Sequence, residues 1–487
     1  MLLYNTLTRK KEPFTPKNPG KASMYACGIT AYDYCHIGHA RSAIVFDILS
    51  RYLRHTGLDI TFVRNFTDVD DKIIARANKE GISSEEVAAK YIAAFHEDMD
   101  ALGVVRADVE PKATEHIDGM IAICQKLIEQ GHAYATPSGD VYFRVRSFDQ
   151  YGKLSGRSID DLLSGARIAP GEEKEDPLDF ALWKAAKPGE PYWESPYGKG
   201  RPGWHIECSA MSEKYLDLPF DIHGGGQDLV FPHHENEIAQ TEASTGKQMA
   251  TFWVHNGFVQ INAEKMAKSL GNFKTIRDIL AITPPEVLRF FLLTRHYRSP
   301  IDYSTDALEE VETNVKRLYE TLALLDTLLA KGPGNGGPTP DVVRLEQECA
   351  EHCLGFSEAM ADDLNTAAAL GHVNALFRLV HRVAESKQLR KSATAYTVLQ
   401  RIADQRTVLG TVLGLFGQNP ATFLSELKAM RVLRKNIDEP LVASLLETRE
   451  QARKAKDFAS ADKARDQLAQ LGVEVRDTPE GQEWDVL

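Results

Sequence analysis

What the chain lacks narrows it first. No apolar run approaches the roughly 18–20 residues that span a bilayer, and Arg9-Lys10-Lys11 follow Met1 too soon for the apolar region of a signal peptide. Cysteine is scarce. Six thiols in 487 residues are too few for a disulfide scaffold, and a cytoplasmic protein using thiols for metal or chemistry fits better. No period of 20–50 residues repeats, which argues against a solenoid. There is no G-x-x-x-x-G-K-[ST], so a P-loop phosphate site is absent, and no Cys-x-x-Cys. Positive charge is also in short supply: the formal net charge is −12, which by itself points away from a nucleic-acid partner.

What is present reads as a large globular protein. With 43% hydrophobic and 26% charged residues, disorder and fibrous architectures are excluded, and at roughly 100–200 residues per domain the length suggests about three domains. A strand at 22–26, an apolar helix at 43–53 and a β-rich run at 60–65 form a βαβ unit, hence a parallel sheet. Such sheets bind ligands beyond the carboxyl ends of their strands, which puts Cys27 and the loop after it where chemistry sits. The character then changes, with an alternating strand at 139–145, a charged run at 172–176 and a Pro/Gly/aromatic-rich run at 188–202. Strands return at 219–223 and 251–255. From Tyr303 helical periodicity dominates, interrupted by the Gly/Pro-rich residues 331–340, which read as a flexible connection. A small terminal unit with one charged helix at 441–471 closes the chain. The divisions expected are 1–115 and 203–302 as two halves of an α/β domain, 116–202 as an insertion, 303–416 as a helical bundle and 417–487 as a C-terminal domain.

Four groups of residues could carry chemistry. In Cys35-His36-Ile37-Gly38-His39, two histidines beside a glycine at a helix N-terminus suit a polyphosphate, although for a bare H-x-G-H helix capping and packing are the favoured reading. Lys265-Met266-Ala267-Lys268-Ser269-Leu270-Gly271-Asn272 is a cationic loop able to clamp a leaving pyrophosphate. Alone it would be a surface loop; paired with the histidines across an insertion, it builds one nucleotide site. Cys27, Cys208, His233 and Glu237 offer thiolate, imidazole and carboxylate donors to zinc. His233 and Glu237, four apart after Pro232, share a helix face, whereas two packed cysteines and an exposed charged helix are the plainer alternative. Finally, His223-Gly224-Gly225-Gly226-Gln227-Asp228 would let backbone approach a ligand, with Asp228 or Gln227 on a ribose hydroxyl, or is simply a glycine-rich turn. Cys35, Cys124, Cys349 and Cys353 read as packing residues.

Taken together these stretches resemble the class I aminoacyl-tRNA synthetases, and most closely the bacterial cysteinyl-tRNA synthetases, over essentially the whole length. Further matching runs are Asn65-Phe66-Thr67-Asp68-Val69-Asp70-Asp71-Lys72, Gly203 to Ser212 and Ala459 to Asp466. The resemblance implies a Rossmann-like catalytic domain interrupted by a connective insertion and followed by an α-helical tRNA-binding region. It implies one zinc per subunit on Cys27, Cys208, His233 and Glu237. It also implies ATP with Mg²⁺ on His36, Gly38, His39, Asp228 and Lys268, catalysis by His36, His39, Lys265 and Lys268, and a cysteine pocket framed by Gly28, Thr67, Trp204 and His223. ATP, L-cysteine and tRNA(Cys) are the implied partners, with a cytoplasmic monomer and no membrane. Ala267 stands where the family's signature loop usually carries serine; both lysines remain.

The chemistry is coherent with that resemblance. Cysteine and serine are near-isosteres, and hydrophobic pockets separate such pairs by only about 10²-fold. A zinc ion with an open position binds and deprotonates a thiol and rejects a hydroxyl. The carboxylate of cysteine would then attack the ATP α-phosphate, and the terminal tRNA hydroxyl would attack the adenylate. Within 431–470, nine Lys/Arg face seven Asp/Glu, a local net of +2 that suits phosphate contacts or a solvated helix face. Two other functions share parts of the pattern. A ligase joining cysteine to an amino sugar would keep every ATP and zinc residue but has no use for the terminal unit. A non-catalytic RNA-binding protein would have no need of the histidines, Lys268 and the donor set.

Overall fold

Four parallel strands lie at the centre, and their order determines where a ligand can sit. The first strand β1 (Lys21–Thr30), helix α1 (Ile37–His55) and strand β2 (Asp59–Thr67) form the expected βαβ unit. After a long excursion come α2 (Trp204–Tyr215), β3 (Phe220–Gly226), α3 (Glu235–Thr245) and β4 (Ala250–Asn256). The sheet order is β4-β3-β1-β2. The chain therefore leaves β1 first to one side and later to the other, and the crevice beyond the carboxyl ends of β1 and β3 is the switch point where open α/β sheets take ligands. This computed structural model describes residues 1–159, 161, 173–261, 264–265, 274–337, 339–478 and 481–486.

Alternation along the strands fixes the two faces. Met24, Ala26, Phe62 and Ile222 pack with α1 and the helix Ser84–Ala101. Tyr25, Val63, Phe220 and Trp253 pack with α2, α3 and the helix Ile117–Glu129. At its carboxyl end β1 bulges: Ala26 pairs with Arg64 but Ile29 pairs with Phe66, one residue more on β1 than on β2. A bulge re-aims the side chains it contains. Gly28 lies inside it, where an added Cβ would meet the Asn65 carbonyl oxygen at 1.6 Å.

The excursion includes a four-stranded antiparallel meander, Ala133–Ala135, Val141–Phe143, Phe180–Ala185 and Gly200–Pro202. After β4 a small sheet follows in which β5 (Val259–Ile261) pairs with β6 (Glu264–Lys265) and with β7 (Ile301–Tyr303). Helices Thr305–Ala330, Pro340–Ala361, Thr366–Glu385 and Ala393–Leu413 form a bundle whose core is continuous with the α1 face of the sheet. Helix Pro420–Lys435 packs on the first of these. No helix among the described residues is long and apolar enough to cross a membrane.

Four details depart from the sequence expectations. The first helix starts at Ile37, so Gly38 and His39 are already helical. The three glycines 224–226 are strand, not turn. Residues 331–337 are tied down, with Gly336 N–H donating to the Lys391 carbonyl at 2.7 Å. The charged helix at 441–471 is two helices, Glu439–Lys454 and Phe458–Gln470, because Asp457 caps the second by accepting from Ser460 N–H at 3.1 Å. A hairpin, Val473–Thr478 with Gly481–Val486, closes this unit, and Trp484 packs against its small core.

Candidate active site

The bulge, α2 and the start of α3 bring four distant side chains to one point. Cys27 comes from the bulge and Cys208 from the middle of α2. Pro232 begins the helical turn that leads into α3, so His233 and Glu237 fall on one face. The Cys27 and Cys208 sulfurs are 3.7 Å apart, Cys27 Sγ lies 3.6 Å from Glu237 Oε1, and Cys208 Sγ lies 3.6 Å from His233 Nε2. His233 Nε2 and Glu237 Oε1 are 2.9 Å apart. All four donor atoms lie within 4.8 Å of one another. A zinc tetrahedron with Zn–S about 2.3 Å and Zn–N about 2.05 Å needs edges of roughly 3.8 Å between sulfurs and 3.6 Å between sulfur and nitrogen. The donor types and the sulfur edges fit that ion, while the 2.9 Å between His233 Nε2 and Glu237 Oε1 is a hydrogen bond that would open to roughly 3.3 Å around it.

Around these donors stand imidazoles that the sequence reading passed over. His234 Nε2 lies 3.3 Å from Cys27 Sγ, which makes Cys27, His223, His234 and Glu237 a second possible donor set. His234 Nδ1 bonds His255 Nε2 at 2.8 Å, and His255 Nδ1 reaches Thr6 Oγ1 at 2.8 Å. His205 Nδ1 lies 2.9 Å from His233 Nδ1. The His233-His234 pair was the available signal; the other histidines reach the site only through the fold.

Burial and charge divide this cluster sharply. Desolvation holds His205 and His234 well below the ordinary imidazole range and lowers His255 to about 3. Burial also opposes a charge on His233, but Glu237 and Cys208 outweigh it and raise His233 to about 10. Burial alone would raise Glu237; His223 and His233 reverse this and hold it well below the usual carboxylate range. Of the two thiols the proton stays on Cys27, which burial pushes up. Cys208 accepts its hydrogen bond, faces His233, and falls to about 6. A proton on His233 thus offsets only part of the charge of a thiolate and a carboxylate, and the remaining negative charge favours a divalent cation.

A cleft of about 420 Å³ opens beside the cluster, with Cys27 and Trp204 on both. Gly28, His36, Gly38, His39 and Asp228 line it, as do Arg64, Lys72 and residues 256–259. His36 caps α1: its Nδ1 accepts from Gly38 N–H at 3.0 Å, and His39 Nδ1 accepts from His36 N–H at 3.2 Å. The two rings stack at 3.8 Å. Capping and facing the cleft, alternatives in the sequence, are combined here. Trp204 stacks on His233 at 4.2 Å between centroids.

Two expected pocket residues stand behind this wall. Thr67 is buried and donates to Glu207 Oε2 at 2.5 Å. His223 is fully buried, 2.7 Å from Glu237 Oε2, and stacked on Trp253. The glycines after it make room for the protein itself rather than for a ligand: a Cβ at Gly224 would meet the Phe46 ring at 2.1 Å, and one at Gly225 the His234 ring at 3.0 Å. Lys268 and Ala267 lie outside the described residues, and only the backbone of Lys265 is within them. Arg431 and Arg434, counted above among charges for RNA, are instead ion-paired with buried Glu312, and Arg449 with Asp477.

Comparisons with known proteins agree along the chain. The family described as tRNA synthetases class I (C) catalytic domain matches residues 13–313, the DALR domain 355–417, and the cysteinyl-tRNA ligase anticodon binding domain 439–484. Among curated proteins, the cysteine–tRNA ligase of Nitratidesulfovibrio vulgaris (strain Miyazaki F) is 66% identical over 487 residues, the whole of both chains. That of Oleidesulfovibrio alaskensis is 65% identical over 486 residues, and that of Lawsonia intracellularis 58% over 487, each also at full coverage. Among solved structures, Mycobacterium tuberculosis methionyl-tRNA synthetase in complex with methionyl-adenylate aligns with TM-score 0.62 at 15% identity, over 83% of this chain and 93% of that one, a likeness of fold.

Proposed function

Because the chain belongs to the cysteine–tRNA ligase family, a branch of the class I aminoacyl-tRNA synthetases, we propose how its residues divide the work of charging tRNA(Cys) with cysteine at the expense of ATP. Cys27, Cys208, His233 and Glu237 would hold zinc, with His205, His234, His255 and His223 orienting them from behind. When bound, the ion supplies a Lewis acid that favours a thiolate over a hydroxyl. The observation that carries this reading is the shared wall: Cys27 and Trp204 belong at once to the cluster and to the cleft. Gly28 and the start of α1 line the same cleft and would receive the rest of a cysteine held there by its sulfur.

At that start His36 and His39 do the electrostatic work. Each Nδ1 accepts a backbone N–H, so a neutral imidazole there carries its proton on Nε2. Two Nε2–H donors at the positive end of a 19-residue helix suit phosphate oxygens that gain charge as pyrophosphate leaves. Lys268, with Lys265, would supply cationic charge to the leaving pyrophosphate, and Mg²⁺ would accompany the nucleotide. Asp228 lines the same cleft and would accept from a ribose hydroxyl. Little covalent help is needed, since phosphoryl chemistry of this kind rests on positioning and charge. Residues 303–416 and 417–487 hold the tRNA, and 116–202 form the connective insertion. The reading includes a monomeric, cytoplasmic enzyme.

Cysteine-dependent ATP–pyrophosphate exchange, followed by charging of tRNA(Cys), tests the proposal. Absence of exchange overturns it. Exchange without charging would favour the amino-sugar ligase, which the anticodon-binding match at 439–484 speaks against.

A further inference from the structure

Arg41 follows His39 by two positions and is fully buried inside α1, yet no carboxylate pairs with it among the described residues. A buried charge without a counter-charge is costly, and its burial lowers the Arg41 pKa to about 10. The guanidinium spends its hydrogen bonds on backbone. Nη1 donates to the Phe258 carbonyl at 2.7 Å, and Nη2 donates to the carbonyls of His296 at 3.3 Å, Tyr297 at 3.2 Å and Ser299. A carboxylate partner would swing on its own rotamers; carbonyls are fixed by the path of the main chain. Arg41 therefore ties α1 to two segments of backbone. One is residues 256–259, which line the same cleft as His36 and His39 and run into β5. The other is the turn at 296–299, against which Gly257 packs so closely that an added Cβ would meet the Arg298 carbonyl oxygen at 2.6 Å.

The same turn is gripped from its far side. Asp363, fully buried and in the left-handed region at φ 62°, accepts from Tyr297 Oη–H at 2.8 Å and Arg298 Nε–H at 2.8 Å. It also accepts from Tyr4 N–H at 2.8 Å.

We infer that Arg41 is a positioning residue for the nucleotide half of the reaction, setting the distance between the histidines at the start of α1 and the cleft wall at 256–259, with Asp363 fixing the turn it holds. The inference rests on the reading that this cleft takes ATP. The zinc cluster shares no hydrogen bond with Arg41, so the effect should fall on ATP and spare cysteine.

The experiment is steady-state ATP–pyrophosphate exchange by the full-length, zinc-loaded enzyme, titrated separately in ATP and in cysteine. Lysine at position 41 keeps the charge but cannot span four carbonyls. Arg41→Lys should lower kcat/KM for ATP by about 100-fold, the cost of misplacing reacting groups by roughly 1 Å. Bound zinc and the KM for cysteine should stay within about twofold of wild type. Should that variant not fold, Asp363→Asn decides, because asparagine tolerates the left-handed backbone. It should lower kcat/KM for ATP by about tenfold, the loss of a charge-assisted hydrogen bond, with the same sparing of cysteine. A lower melting temperature with unchanged ATP kinetics, or equal losses for ATP and cysteine, overturns the inference and leaves Arg41 a structural residue. A wild-type enzyme without exchange would instead overturn the ATP reading beneath it.

Discussion

Single side chains set the chemistry of the donor cluster, and single changes should separate its roles. Cys208→Ser replaces a thiolate whose pKa is about 6 with a hydroxyl that stays protonated, so one donor is lost. Zinc affinity should fall by more than the roughly 10–100-fold that loss of an outer-shell partner costs, and the KM for cysteine should rise with it. Elemental analysis should find one zinc per wild-type chain and less in the variant; an unaltered KM would refute zinc as the sensor of the thiol. Lys268→Ala should lower the rate of activation far more than cysteine affinity, as single-turnover exchange resolves. Gly28→Ala would force a Cβ to 1.6 Å from the Asn65 oxygen, so the bulge must open. Both metal content and melting temperature should drop, which differential scanning calorimetry and zinc analysis would register.

At the scale of elements, each unit depends on a few polar contacts. The hairpin Val473–Thr478 is held to the helix Glu439–Lys454 by Arg449, which donates to both oxygens of Asp477 at 2.8 and 2.9 Å. Hydrogen bonding to Arg449 first, with Arg453 adding, lowers the Asp477 pKa to about 2. A depressed carboxyl stabilises the fold fully above its unfolded pKa near 3.9 and loses that contribution as pH falls through the folded value. The terminal unit should thus loosen between about pH 4 and 2, and Asp477→Asn should flatten this step when unfolding is followed against pH. Elements also show what was legible in the sequence. The βαβ unit, β3 and β4 followed from apolar patterning, whereas the set Cys27, Cys208, His233 and Glu237 came from the resemblance, since residue types alone left packed cysteines and a charged helix open. Thr67 and His223 were placed at the substrate by the resemblance, and their burial against Glu207 and Glu237 comes from packing between distant segments that no local pattern shows. The break at Asp457 had a signal, an aspartate three residues before Ser460, that charge patterning obscured. Arg41 had none, since an arginine on a helix gives no sign of whether it meets water or backbone.

Across the whole molecule, Glu312 is the joint between the C-terminal unit and the segment that follows the lysine loop. It is buried and accepts from Arg431 Nε at 2.7 Å, from Arg434 at 2.8 and 3.0 Å, and from Thr283 Oγ1 at 3.0 Å, while Arg434 also donates to the Ile282 carbonyl at 2.9 Å. Removing the acid leaves two guanidinium groups without their carboxylate, a loss of roughly 3–5 kcal/mol at the buried limit. Glu312→Ala should let the helix Pro420–Lys435 undock. Limited proteolysis should then cut near residue 418, and tRNA charging should fall while cysteine-dependent exchange persists. Equal loss of both activities would place Glu312 in the general fold instead. These pairs also reduce the basic charge that the terminal unit offers, since Arg431, Arg434 and Arg449 are engaged with Glu312 and Asp477.

The donors for the metal lie far apart in the chain, from Cys27 in the first strand to Glu237 near its midpoint. During synthesis at roughly 5–20 residues per second, Cys27 therefore waits on the order of 10–40 seconds before its last partner is made. Through this interval the nascent chain carries Cys27 without the partners that surround it in the fold, so the donor cluster can form only after the chain has been made as far as Glu237.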